Sequence, residues 1–129
     1  MKDFRQELYE NGYFRQEELC FADCERYQRA RVSGLLNKAA AYAGYDYNAR
    51  GLTHDMLFEM GEVFLLSRLA MRIHRIPMAG DVLDIATYEN GVKGAHMQRV
   101  YEMKDQTGEV RVSVKSCLLY TSDAADEAR

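Results

Sequence analysis

Asp23, one residue before Cys24 and two before Glu25, is the side chain best placed to act as a base or nucleophile. A carboxylate at a strand end can take a proton from water or attack a carbonyl directly. The plainer reading, a strand-end carboxylate accepting turn amides, is favoured. The histidines are His54, His74 and His96. His54 belongs to a helix start, His74 to the arginine-bearing face of a strand and His96 to an exposed sheet face. Cys20 and Cys24 make half a metal site, but no second Cys/His pair follows at zinc-like spacing, so no metal is expected. Arg68, Arg72 and Arg75, with Arg29 and Arg31 upstream, could attract an acidic partner or a phosphate. A solvated strand face explains them equally, and strand parity sends Arg72 and Arg75 to opposite faces.

The elements that must position these residues are legible from periodicity. Tyr13–Cys24 reads as a long strand with Leu19 and Phe21 on one face. "RVSGLLNKAAAYAGYDY" reads as a helix, with Ser33 as N-cap and Gly44 as its left-handed stop. Leu35, Leu36, Ala39, Ala40 and Ala43 form its apolar stripe, and the alanines let a sheet approach closely. "THDMLFEMG" reads as a shorter helix capped by Thr53 and ended by Gly61. From Glu62 the period becomes two: Val63, Leu65, Leu69, Met71 and Ile73 share one face, Arg68, Arg72 and His74 the other. Pro77 stops that strand and "MAGD" turns the chain. "DVLDIATYE", "GAHMQRVYEMKD" and "EVRVSVKS" follow as strands, joined by turns at Asn90–Gly91 and at "DQTG". Val110, Val112 and Val114 point inward. One long helix against a meandering antiparallel sheet is α+β, and a curved sheet around an Ala-rich helix is the hotdog arrangement.

The chain has 129 residues, 47% hydrophobic and 29% charged, which suits one domain with a real core. A net charge of −3 leaves no basic footprint for nucleic acid. An odd set of three cysteines fits a reducing compartment. No apolar run reads as a signal peptide or a membrane span, so the expected setting is cytoplasmic, without membrane partners.

"ADCERYQRARVSGLLNKAAAYAG", "GEVFLLSRLAMRIHRIPMAGDVLDIATYENG" and "MQRVYEMKDQTGEV" resemble, in order and spacing, the first half of the bacterial and plant acyl-ACP thioesterases. The likeness is carried by the surroundings of Asp23, the Ser33-to-Ala43 helix, "LLSRL" and the corner Arg75, Ile76, Pro77, Gly80 and Asp81. Thr87, Arg99 and the Asp105–Gly108 hairpin match too, within about Tyr9 to Ser116. The family often carries a Trp on the central strand; Phe64 occupies that region here. The resemblance implies a protein of two hotdogs that hydrolyses fatty acyl thioesters of acyl carrier protein and needs no cofactor. It also implies that the first hotdog shapes the acyl pocket, while the catalytic Asp-x-Asn-x-His motif lies in the second. This chain has no such motif, so it is expected to be inactive alone and to pair with a second hotdog or another copy. Leu35, Leu36, Ala39, Ala40, Met56, Leu57 and Phe64 are the candidate acyl-pocket residues. Arg68, Arg72 and Arg75 are the candidate carrier contacts. Two alternatives stay open: a single-hotdog acyl-CoA thioesterase using Asp23 as a dimer, and a non-catalytic acyl-binding module.

The ending "SCLLYTSDAADEAR" breaks this pattern. Cys117–Glu127 reads, codon for codon, as the in-frame translation of a transposase library adapter. The expected organisation is a hotdog domain over 1–116 and a non-native tail over 117–129. The last strand is expected to borrow Leu118 and Leu119, because apolar residues there still fit a sheet.

Overall fold

The structure, a computed structural model, describes residues 12–49, 63–93 and 96–121. Within them run strand β1 (Gly12–Glu18), helix α1 (Val32–Ala49), and strands β2 (Val63–Ile73), β3 (Val82–Lys93), β4 (His96–Lys104) and β5 (Val110–Thr121). The strands form one antiparallel sheet in the order β1-β3-β4-β5-β2. Helix α1 lies across one face of that sheet, over β1 and β3. This is the hotdog arrangement expected from the sequence. The short helix predicted over 53–61 lies outside the described residues.

Alternation decides which side chains meet the helix. Val112 and Val114 of β5, Tyr101 and Met103 of β4, and Leu83 and Ile85 of β3 point inward, onto Leu35, Ala39 and Tyr42 of α1. Burying a side chain of Leu or Ile size stabilises by about 1.5–3 kcal/mol, so this two-layer core is what holds helix to sheet. Val110, at the start of β5, is half-buried.

Four local expectations need correction. The strand predicted over Tyr13–Cys24 ends at Glu18; a single 3-10 turn at Phe21–Asp23 follows. The turn swings Phe21 out to 75% exposure while Leu19 stays in the core. The helix begins at Val32, so Ser33 is inside its first turn rather than its cap. The start is set by Arg31, whose N–H donates to Asp23 O at 2.9 Å and whose carbonyl accepts from Leu35 N at 3.0 Å. Gly44 is an interior residue, since the helix runs on to Ala49. Asn90–Gly91 is not the hairpin turn either. Gly91 does take the positive φ that glycine permits, +105°, but inside β3, where the pairing with β4 slips between Glu89 and Val92. The "DQTG" turn does close β4 onto β5, with Asp105 Oδ1 accepting from Thr107 N at 2.9 Å and Glu109 N at 3.2 Å.

Candidate functional site: an apolar cavity beside the helix

Helix α1 carries two adjoining stripes. Leu35, Ala39, Tyr42 and Asp46 are buried. Leu36, Ala40 and Ala43 lie one position round and face Leu69 of β2, Tyr101 of β4 and Ser116 and Leu118 of β5. Between that flank and the sheet opens a cavity of about 610 Å³, lined by Leu36, Asn37, Ala39, Ala40, Ala43, Leu69, Tyr101, Ser116 and Leu118. Small side chains along the helix are what leave the space unfilled. Its size falls within the roughly 300–1,000 Å³ usual for small-molecule sites.

Polar contacts fix the helix over β1 and β3. Toward its start, Lys38 pairs with Glu17 of β1, and Tyr42 donates its hydroxyl to Glu17 Oε2 at 2.5 Å. Burial alone would raise the Glu17 carboxyl, yet the hydrogen bonds from Lys38 and Tyr42 hold it below its ordinary value. The Tyr42 hydroxyl is pushed well up, first by burial and then by the adjacent Glu17 carboxylate. Near the far end, Arg99 of β4, fully buried, reaches Asp46 Oδ2 at 2.9 Å. The same guanidinium donates to Thr87 Oγ1 at 3.2 Å, meets Glu89 Oε1 at 3.4 Å and stacks 4.7 Å from the Tyr47 ring centre.

Of the expected acyl-pocket residues, Leu36, Ala39 and Ala40 line the cavity. Leu35 does not; one turn-face away, it packs in the core between helix and sheet. Met56 and Leu57 lie outside the described residues, and Phe64 sits in β2 at the register position opposite Tyr120. Ala43, Leu69, Tyr101 and Ser116 join the wall. Ala43 and Leu69 could have been found by extending the helical and strand stripes; Tyr101 and Ser116 needed the strand register.

Asp23 is tied down. Its Oδ2 accepts the Cys20 thiol at 3.1 Å and pairs with Lys38 Nζ at 3.2 Å. The Cys20 hydrogen bond, helped by Lys38, holds its carboxyl below the ordinary aspartate value. A carboxylate so lowered is a weaker base than a free one. Its partners are a thiol and an ammonium, and the Cys20 backbone adds a turn amide of the kind expected.

Arg68 and Arg72 share the outer face of β2, where they stand opposite Cys117 and Ser113 of β5. Lys115 lies on that face between them, opposite Ala70, and Ala70, Arg72, Ser113 and Lys115 border a shallow hollow. Arg75 lies past the end of β2, in the corner leading to β3. The corner is organised by a residue the sequence reading passed over, Arg111. It is buried, and donates to Arg75 O at 3.1 Å and Ile76 O at 2.9 Å while meeting Asp81 at 3.3 Å and Asp105 at 3.4 Å. His74 Nε2 lies 3.1 Å from Ser113 Oγ on the exposed surface, and His96 is exposed at the start of β4. His54 lies outside the described residues, within which no helix is long and apolar enough to cross a membrane.

No curated protein matches the chain in sequence. Among solved structures, a protein described as an oleoyl thioesterase from Lactobacillus plantarum superposes with a TM-score of 0.80 at 23% identity, over 84% of this chain and 43% of its own. An acyl-ACP thioesterase from Bacteroides thetaiotaomicron gives 0.79 at 19%, over 88% of this chain and 46% of its own. The chain thus spans less than half the length of these relatives. A 1,4-dihydroxy-2-naphthoyl-CoA thioesterase from Synechocystis gives 0.75 at 10%, over 84% of this chain and 80% of its own. At these identities the likenesses establish the fold. The family described as acyl-ACP thioesterase N-terminal domain matches residues 10–124, which take in the helix, the Arg111-bound corner and the cavity wall. The chain belongs to the acyl-ACP thioesterase family, whose N-terminal domain it carries.

Proposed function

We propose that this chain is the acyl-pocket half of a thioesterase that hydrolyses fatty acyl-ACP in fatty acid biosynthesis. The observation that carries this reading is the apolar cavity between the Leu36/Ala40/Ala43 flank of α1 and the sheet. A pocket of that chemistry buries a hydrocarbon chain by the hydrophobic effect and needs no charged partner. Hydrolysis is assigned to a second hotdog, because Asp23 is engaged by Cys20 and Lys38 and no Asp-x-Asn-x-His motif is present. The acidic carrier docks on the outer face at Arg68 and Arg72, with Lys115 added to the set. Arg75, the third carrier contact expected from the sequence, is exposed in the corner past the end of β2. The ending from Cys117 reads as foreign sequence, of which β5 takes up residues as far as Thr121; the genomic reading frame past Ser116 checks this.

Titrating the chain with a long-chain acyl-ACP should give saturable binding without turnover. Ala40→Phe, which fills the cavity from the helix, should weaken binding at least tenfold. Absence of binding, or binding indifferent to Ala40→Phe, overturns the pocket. Hydrolysis abolished by Asp23→Asn would return the chemistry to this half.

A further inference from the structure

The apolar cavity has a polar spot. Ser116 lies in its wall at 3% exposure, and its hydroxyl has no hydrogen-bond partner among the described residues. Directly across the β4-β5 ladder stands Arg99, fully buried on the same helix-facing side. It spends its terminal nitrogens on Asp46, Thr87 and Glu89, while its Nε hydrogen finds no acceptor. Cross-strand partners stand about 4.5–5.5 Å apart at Cα, so two buried, unmet polar groups occupy neighbouring positions. Buried groups of this kind are costly unless something satisfies them. One is a donor only; the other donates or accepts. Ser116 is the one of the two that lines the cavity, so an oxygen held there would serve its hydroxyl.

The local charge says what sort of oxygen. Arg99 is already faced by the carboxylates of Asp46 and Glu89, so no positive surplus is left to draw in another anion. A neutral hydroxyl or carbonyl fits, and a carboxylate does not. We infer that the cavity selects acyl chains bearing an in-chain hydroxyl or oxo group at the point that reaches Ser116. The inference rests on the reading of the cavity as an acyl pocket. In the empty pocket a water can occupy the spot. An oxygenated chain replaces its hydrogen bond to Ser116, whereas a plain hydrocarbon chain displaces it and leaves that hydroxyl unmet. A site built around a buried polar group discriminates strongly against the analogue that lacks the matching oxygen.

Displacement of a fluorescent fatty-acid probe from the full chain tests this. The competitors are an unsubstituted fatty acid and the set of its hydroxy and oxo positional isomers. One positional isomer should compete about tenfold better than the unsubstituted acid, the worth of one or two hydrogen bonds. Ser116→Ala should erase that preference, so that the oxygenated isomer and the unsubstituted acid compete equally. Isomers that all compete equally with or less well than the plain chain overturn the inference and leave the acyl pocket standing. So does a preference that survives Ser116→Ala. If no fatty acid displaces the probe, the acyl-pocket reading falls, and this inference with it.

Discussion

Replacing Asp46 by Ala should be among the most damaging single changes in the chain. Its carboxylate meets Arg99 at 2.9 Å, with the two side chains only 2% and 0% exposed. Taking the carboxylate away leaves a guanidinium buried with its other contacts at Thr87, Glu89 and the Tyr47 ring, of which Glu89 is 30% exposed and 3.4 Å away. Breaking a buried pair in this way costs about 3–5 kcal/mol, chiefly because the orphaned charge stays out of water. That is a large part of the roughly 5–15 kcal/mol that holds a domain folded. For a domain of this size, about 4 °C per kcal/mol gives a fall in Tm of about 12–20 °C. Circular dichroism melts of the wild type, Asp46→Ala, Arg99→Met and the combined Asp46→Leu/Arg99→Met chain measure it. The double variant should recover much of the loss, because apolar replacement of both partners is often near neutral. A loss under about 1 kcal/mol for Asp46→Ala would refute the reasoning, as would a double variant as unstable as the sum of the singles.

Other outcomes follow from the same contacts. Glu17 titrates lower folded than unfolded, so its contribution is whole above the ordinary glutamate value of 4.5 and fades as pH falls through the depressed one. Burial alone would lower Lys38, but the hydrogen bonds and charges of Glu17 and Asp23 together raise it overall, so its contribution is whole below 10.5 and fades as pH climbs through the raised value. Urea midpoints against pH should therefore drop at both extremes, and Glu17→Gln should flatten the acid limb. Arg111→Ala should cost about 1–3 kcal/mol for each corner carbonyl left buried without its donor, read by denaturant unfolding. Arg72→Glu with Lys115→Glu should weaken acyl-ACP binding and flatten its salt dependence while leaving free fatty-acid binding unchanged, measured by titration at two ionic strengths.

Residues whose role depends on neighbours close in sequence were legible; those whose role depends on distant ones were not. The β5 alternation placed Val112 and Val114 in the core because a strand's faces are fixed by parity. Gly91 was recognised as needing positive φ, but that need is the same in a turn and in a bulge, so the sequence could not say which. Gly44 read as a stop, yet Asp46 two residues on is gripped by Arg99 from another strand, and the helix continues past the glycine. Arg111 shares the parity of Ser113 and Lys115, so nothing local marks it out; the corner at Arg75–Asp81 folds over it. Asp23 showed its type and place, but Lys38 had to arrive from the helix before its carboxylate could be read as engaged.

The cavity and the polar clamps are consequences of one arrangement. An alanine-rich helix beside a sheet would gain by settling onto it and closing the gap, since every apolar contact regained is favourable. What opposes that here is directional. Glu17 holds Lys38 and Tyr42 at one edge of the sheet, and Arg99 holds Asp46 from β4. Hydrogen bonds at these buried distances lose their strength with small displacements, whereas apolar contact tolerates sliding. The helix is therefore held in place, and its Leu36/Ala40/Ala43 flank faces Leu69, Tyr101, Ser116 and Leu118 across the cavity. On this argument the space belongs to the clamps as much as to the alanines. Loosening Glu17 or Asp46 should let the helix settle and shrink the cavity, even though neither residue lines it.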